Sequence, residues 1–433
     1  MSKLYELKFD SLWRAFRDQG GIFWLASFYL FLEYVRPQSI YPWLQIIPWA
    51  QITIIIIGMR FLVENKEPMV SSVANKLLVA FVLVVIASSY FAIWPEKSWE
   101  NINVMLSWFV IYFLLVNIIN SEERFILFFV FFLLFSFKMS QHGFRTWMGR
   151  GFSFEGWGAS GAPGWFQNSG EFGVQMCIFV PMAFTFYLGL RKNWGRIKKA
   201  FFLILPITGV GAIIASSSRG AVIGFAAVCL SFAINTKQRF RSLILVVIVL
   251  VGGILVAPQG FIDRFDTIGT DITSRQRITY WAAGKDVISD YPWLGVGYSN
   301  WQTYYSTNIY RFKTAEGLQR TQKIHNIFLQ LGTELGIVGL TIYLLMIISA
   351  FNINRATRRI AARTGNIFFH WISIGLDSAL TGYLVSGLFV SIVYYPFFWI
   401  NLIFVVSLNN IAKQEDKKKN VDQRVKSRQQ YEI

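Results

Sequence analysis

The chain has 433 residues, 54% of them hydrophobic and only 15% charged. Its apolar residues are gathered in long runs, which excludes the two or three soluble domains that length alone would suggest. A run of about 18–20 apolar residues crosses roughly 30 Å of hydrocarbon as a helix, and these runs lack the alternation of barrel strands. The expected fold class is therefore an all-α polytopic membrane protein. The net charge of +17 fits cations placed in short loops on one side of a bilayer, and no nucleic-acid partner is expected.

In chain order, Met1–Gly20 is mixed and charged, without the short apolar core of a signal peptide. Twelve spans are expected near 20–36, 45–63, 76–94, 101–119, 124–142, 170–190, 200–217, 219–235, 240–257, 326–350, 368–390 and 395–411. With twelve spans, the basic segments Met1–Gly20, 191–199, 236–241, 351–366 and the tail after Ile411 fall on one face. That face is read as cytoplasmic, with both termini on it. On the other face lie Arg36–Leu44, 95–100, the Gly/Trp-rich 143–169 loop, the Ser216–Gly220 turn, a long 258–325 loop and a turn near Tyr394. The chain thus divides into 1–257 (nine spans), 258–325 (a large non-cytoplasmic loop with short helices), 326–411 (three spans) and 412–433 (a polar tail expected to be disordered). Cys177 and Cys229 sit inside apolar runs, where they indicate neither a disulfide framework nor a metal site.

The long loop carries eight basic residues against six acidic ones, which works against the insertion bias and points to a role beyond topology. Arg145 and Arg150 stand in the 143–169 loop, and Ser216-Ser217-Ser218-Arg219-Gly220 leaves Arg219 at a membrane edge. A charge at that depth is costly and functional by default, although an arginine that merely snorkels to water is the plainer reading. Arg275-Gln-Arg277-Ile-Thr-Tyr-Trp281 opens a helix expected through Ser289, with Ile278, Trp281, Ala282 and Ile288 on its membrane-facing side. Arg277 and Trp281 are four apart, so the indole could stack on the guanidinium. Pro292-Trp-Leu-Gly295-Val-Gly297 has neither the third glycine nor the lysine of a nucleotide loop and reads as a turn. His325-Asn326 opens the tenth span; a histidine at neutral pH can take a proton from a hydroxyl. Glu334 lies deeper and reads as a helix–helix contact. No Asp-x-Asp pair, His/Cys metal spacing or Gly-x-Ser-x-Gly elbow is present, so no metal and no cofactor are expected. Phosphate charge would fall to arginines, whose planar fork suits its oxygens.

Ser218-Arg219-Gly220, Arg277-x-x-x-Trp281, Pro292-x-x-Gly-x-Gly297 and His325-Asn-x-x-Leu-x-x-x-x-Glu334-x-Gly-x-x-Gly339, in that order and spacing, resemble the O-antigen ligase / O-antigen polymerase family of bacterial membrane glycosyltransferases. Glu33-Tyr34-Val35-Arg36-Pro37-Gln38 looks like ligase-type members, including O-glycosylation ligases. The resemblance implies a multi-pass inner-membrane enzyme whose 258–325 loop is a periplasmic catalytic segment. It implies a glycan donor on undecaprenyl pyrophosphate and a hydroxyl acceptor, lipid A–core for a lipopolysaccharide ligase. By the same resemblance Arg219 and Arg277 hold the pyrophosphate, His325 is the general base, and Arg275, which precedes the same tryptophan, is an auxiliary or takes the place given to Arg277. Trp281, Asn326, Arg145 and Arg150 are expected on the substrate side. A polymerase of the same lipid-linked units, a ligase to protein serine or threonine, and a transporter of an anionic lipid remain as alternatives.

Overall fold

In the computed structural model, the described residues are 3–65, 67–152, 158–236, 239–240, 243–244, 269, 271–312 and 322–431, side chains being described to residue 421. Helices stand at eleven of the twelve expected positions. In order they are α1 (Phe9–Asp18), α2 (Gly21–Tyr34), α3 (Trp49–Glu64), α4 (Val73–Tyr90), α5 (Pro95–Ile118), α6 (Glu122–Gly149), α7 (Ser169–Leu190), α8 (Arg196–Ala215) and α9 (Arg219–Asn235). After the loop helices α10 (Ile272–Asp290) and α11 (Trp301–Thr307) come α12 (Ile327–Thr364), α13 (Ile367–Ser386) and α14 (Pro396–Tyr431). Most of the expected span at 240–257, and the segments 245–268 and 313–321, lie outside the described residues. Among the described residues there is no strand, and eight helices are long and apolar enough to cross a membrane. The chain is an all-α, multi-pass membrane protein.

The bundle is centred on α7, buried over nearly its whole length and packed on α8, α9 and α13. Small residues let these helices approach, as where Gly173 meets Ala221 and Gly224 meets Ser386. Outer helices such as α3 and α4 leave Ile55, Leu62 and Leu83 exposed, as lipid-facing helices must.

Three expectations need correction. α6 runs seven residues past 142, so Arg145 stands on a helix. The expected disordered tail is helical as far as Tyr431, because it docks on the end of α12. There Lys419 Nζ donates to Thr364 O (2.7 Å) and Arg363 pairs with Asp416 (2.7 Å). Finally, α12 is broken at Gly336, whose φ of 65° and ψ of −170° interrupt the helix.

The Pro292–Gly297 turn is latched into that break. Val296 N donates to Thr333 O (2.8 Å) and Ile337 N to Pro292 O (2.7 Å), and Ser88 Oγ donates to Leu294 O (2.9 Å) and Glu334 O (2.8 Å). A Cβ on Gly336 would lie 2.2 Å from Trp293 O, and one on Gly295 2.4 Å from Thr333 O. Both glycines also hold positive φ, which side chains disfavour. The turn is therefore structural, as its sequence indicates.

The described part of the long loop has a core of its own, built from Tyr280, Val287, Val296, Trp301, Tyr305 and Ile324 among others. It docks on the α4–α5 turn. Trp94 N donates to Asn300 Oδ1 (3.0 Å), Asn300 Nδ2 to Ser98 Oγ (2.8 Å), and Ile93 N to Val296 O (3.0 Å). The buried face of α10 is Tyr280, Ala283, Gly284 and Val287, and Ile278 and Ala282, expected on the membrane-facing side, are exposed on another. The buried face is set by the loop's own core.

Candidate active site

The six segments expected on one face of the bundle meet at one end. Ala159 N donates to Ala215 O (2.8 Å), the Trp165 and Tyr395 rings pack 4.8 Å apart at a tilt of 58°, and His325 N donates to Ser391 Oγ (2.8 Å). At this end three elements bring Arg219, Arg277 and His325 into one electrostatic neighbourhood.

Arg219 opens α9. The turn before it holds Ser217 at φ 52°, and Ser218 caps the helix through Oγ to Ala221 N. The guanidinium is braced by the start of α10: Nη1 pairs with Asp271 Oδ2 (3.0 Å) and Nη2 donates to Ser274 Oγ (3.2 Å). Asp271 is the N-cap of α10, accepting from Ser274 N (3.0 Å) and Ser274 Oγ (2.6 Å). Partial burial raises its pKa, but the bonds from Arg219 and Ser274 outweigh burial and bring it to about 2.

Arg277 lies two turns further along α10. Its Nε is buried without a hydrogen-bond partner, and no described carboxylate pairs with it. Burial and then the Arg219 charge lower its pKa, which Asp271 only partly opposes. Arg275 is exposed, so of the two arginines ahead of Trp281 only Arg277 joins Arg219. Among the described residues no guanidinium stacks on Trp281. Its indole instead donates to Ile324 O (3.1 Å) and lies 6.4 Å from the Phe389 ring, which fixes the segment leading to His325.

His325 adopts φ 55°, a conformation costing a non-glycine residue roughly 1–2 kcal/mol. It is pinned by Trp281 on Ile324, by Ser391 on its own N–H, and by Asn326, whose Oδ1 caps α12 by accepting from Phe328 N (2.9 Å) and Leu329 N (3.1 Å). Asn326 is thus committed to the helix. The ring Nε2 lies 3.4 Å from Gln322 Oε1. Burial, then Arg277 and Lys323, push the imidazole pKa down to about 4, well below the near-neutral value expected from sequence. At neutral pH the ring is uncharged, with a lone pair free.

Sequence reasoning gave Lys323 and Tyr395 no part in the site. Lys323 Nζ donates to the Tyr395 hydroxyl (2.7 Å) and lies 4.9 Å from the centre of that ring. Trp165, on Tyr395's other contact, donates to Glu33 Oε2 (2.7 Å), with Arg36 5.3 Å over its indole. The Glu33–Arg36 stretch therefore reaches the site through Trp165 and Tyr395. The Tyr394-Tyr395-Pro396 run was the available signal. Glu334 accepts from Tyr394 (2.8 Å), which stands in the turn ahead of α14, so the contact is helix to turn rather than the helix–helix contact expected. Arg145 and Arg150 are exposed, Arg145 in a separate groove.

Residues 201–344, which hold Arg219, Arg277 and His325, match the O-antigen ligase family model. Over that stretch the chain is similar to O-antigen ligases. A second match, to a family of unknown function, covers residues 19–187. No curated protein matches the chain. The O-antigen ligase match supports a ligase- or polymerase-type glycosyltransferase function, with a lipid-linked glycan and an acceptor as substrates in general.

Proposed function

We propose that the protein transfers a glycan from undecaprenyl pyrophosphate to a hydroxyl acceptor on the periplasmic side of the bacterial inner membrane. The observation that carries this reading is the half-buried Arg277 guanidinium. It has no described anionic partner and lies beside Arg219 and the uncharged His325. A diphosphate supplies the missing negative charge and accepts from planar guanidinium forks in pairs. Arg219 reaches the same anion from its Asp271–Ser274 brace.

The reaction needs one proton moved and one bond exchanged. His325 takes the acceptor's hydroxyl proton as that oxygen attacks the anomeric carbon. The bond from that carbon to the pyrophosphate breaks, and its electron pair leaves on the diphosphate oxygen, with inversion. Arg219 and Arg277 stabilise the charge that grows there. A pKa near 4 makes free His325 a weak base, but the donor's negative charge offsets Arg277 and Lys323 and raises it when the donor is bound. Base strength is then highest in the loaded site. No step uses a metal or nucleotide.

The test is the purified full-length protein with undecaprenyl-pyrophosphate-linked glycan, a lipid A–core acceptor and a chelator. A glycan-capped acceptor, lost in His325→Ala, supports the ligase. Donor converted to longer lipid-linked chains identifies a polymerase. Donor that binds but stays intact with lipid and with serine- or threonine-bearing protein acceptors alike overturns the reading in favour of transport.

A further inference from the structure

A groove of about 750 Å³ opens beside this site, between the end of α2, the last turns of α6 and residues 161–163. Lys138, His142 and Arg145 line it from α6. At spacings of four and three they form one stripe on the helix face. All three are exposed, and no carboxylate lines the groove among the described residues. Val35, Met139 and Pro163 give it an apolar wall. Lys138 stands about 10 Å deeper along the axis than Arg145, within a helix apolar enough to span the bilayer. A lysine at that depth is expensive unless it meets a ligand or water there.

We infer that this groove is a second anion site, which takes the phosphorylated headgroup of a membrane glycolipid serving as acceptor. The role as acceptor rests on the function proposed above. Depth is what selects the class. A serine or threonine on a soluble protein does not reach Lys138, whereas a phosphorylated saccharide carried on acyl chains presents anions at the interface and apolar surface below it. The groove wall also leads to the reaction site. Pro163 is followed by Gly164, packed on the Arg36 guanidinium, and by Trp165, packed on Tyr395. Tyr395 receives Lys323, two residues from His325. An acceptor phosphate held on the α6 stripe therefore lies across the Arg36–Trp165 wall from the arginines assigned to the donor.

The experiment uses the full-length protein in phosphatidylcholine nanodiscs, with affinities measured for bisphosphorylated lipid A and for undecaprenyl pyrophosphate. In the triple variant K138Q/H142Q/R145Q, lipid A affinity is expected to fall about tenfold or more, to the level of dephosphorylated lipid A, with undecaprenyl pyrophosphate binding unchanged. The doubly conservative variant K138R/R145K retains lipid A binding. Unchanged lipid A affinity in the triple variant overturns the site. An equal loss of both lipids, or loss of the diphosphate alone, makes the groove part of the donor site and overturns its acceptor role. Competition by inorganic phosphate as strong as by lipid A reveals a free-anion site, and the lipid assignment falls. R219A/R277A separates the two claims: if undecaprenyl pyrophosphate still binds normally there, the proposed function fails while the groove result stands.

Discussion

Two basic clusters share one end of this bundle and hold their charge in opposite ways. Around His325 the cations are braced or buried: Arg219 by Asp271 and Ser274, Lys323 by Tyr395, and Arg277 sunk to its Nε. Along α6, Lys138, His142 and Arg145 are exposed on a single helix face. The first cluster is assembled from α9, α10 and the segment ahead of α12, inside the O-antigen ligase match; the second falls within the match to a family of unknown function. A site that acts on charge as it develops needs donors fixed in advance. A site that only selects a headgroup tolerates mobile ones. On the function and the groove proposed above, the first cluster carries the chemistry and the second the recruitment.

The largest expected effect lies in the braced cluster. His325→Ala should lower turnover by about 10²–10⁴-fold and leave donor affinity nearly intact, read as kcat against donor Kd. Near-wild-type ligation by this variant would remove the base from the mechanism and leave the contrast without its centre. Next in size is Arg277→Ala, expected to cost about 10²–10³-fold in kcat, with Arg277→Lys recovering only part because a point charge cannot replace a fork. Arg145→Lys in the groove should be close to silent in the same assay. Full recovery by lysine at Arg277 would place both clusters in one class.

A smaller effect tests the scaffold that fixes the braced cluster. Gly336→Ala forces a Cβ against Trp293 O at positive φ, and the strain is worth about 1–3 kcal/mol. Thermal unfolding of the purified protein should shift down, and activity should fall with it as the 292–297 turn leaves α12. Groove binding of lipid A should persist, since α6 does not contribute to that latch. An unshifted midpoint would show that the latch is not what holds the loop.

How far the sequence anticipates this molecule depends on which force acts. The bilayer demands length and apolarity, both local, so the helices fall where the apolar runs do. The break at Gly336 is hidden because hydropathy runs straight through it; the cause is the backbone of a turn some forty residues earlier. The buried face of α10 carries no such signal, because there the loop packs on itself through Tyr280 and Val287. Arg219 and Asp271 are 52 residues apart, and Lys323 and Tyr395 are 72 apart. Their pairing follows from tertiary closure, which no spacing rule encodes. Asp271-Ile-Thr-Ser274 did carry a local signal, an N-cap with its partner three residues on. The depressed pKa of His325 was invisible, since it arises from burial and from two cations brought in by folding.

That depression gives the smallest and most discriminating test. The folded pKa of His325, about 4, lies below the ordinary 6.5, so the uncharged ring persists as pH falls until protonation sets in near 4. In the free enzyme kcat/KM should therefore stay level from pH 8 to about 5 and drop only below that. The acid limb of kcat, which reports the loaded site, should lie higher, because bound pyrophosphate cancels part of the surrounding positive charge. Removing one of the cations that depress the ring, as in Lys323→Met, should move the kcat/KM limb upward. It should stop short of 6.5, since burial, the larger cause, remains. Lys138→Gln should leave the limb in place, because the groove cation is not among the charges acting on His325. A limb that moved equally in both variants would mean the two clusters share one field, and the division between chemistry and recruitment would be lost.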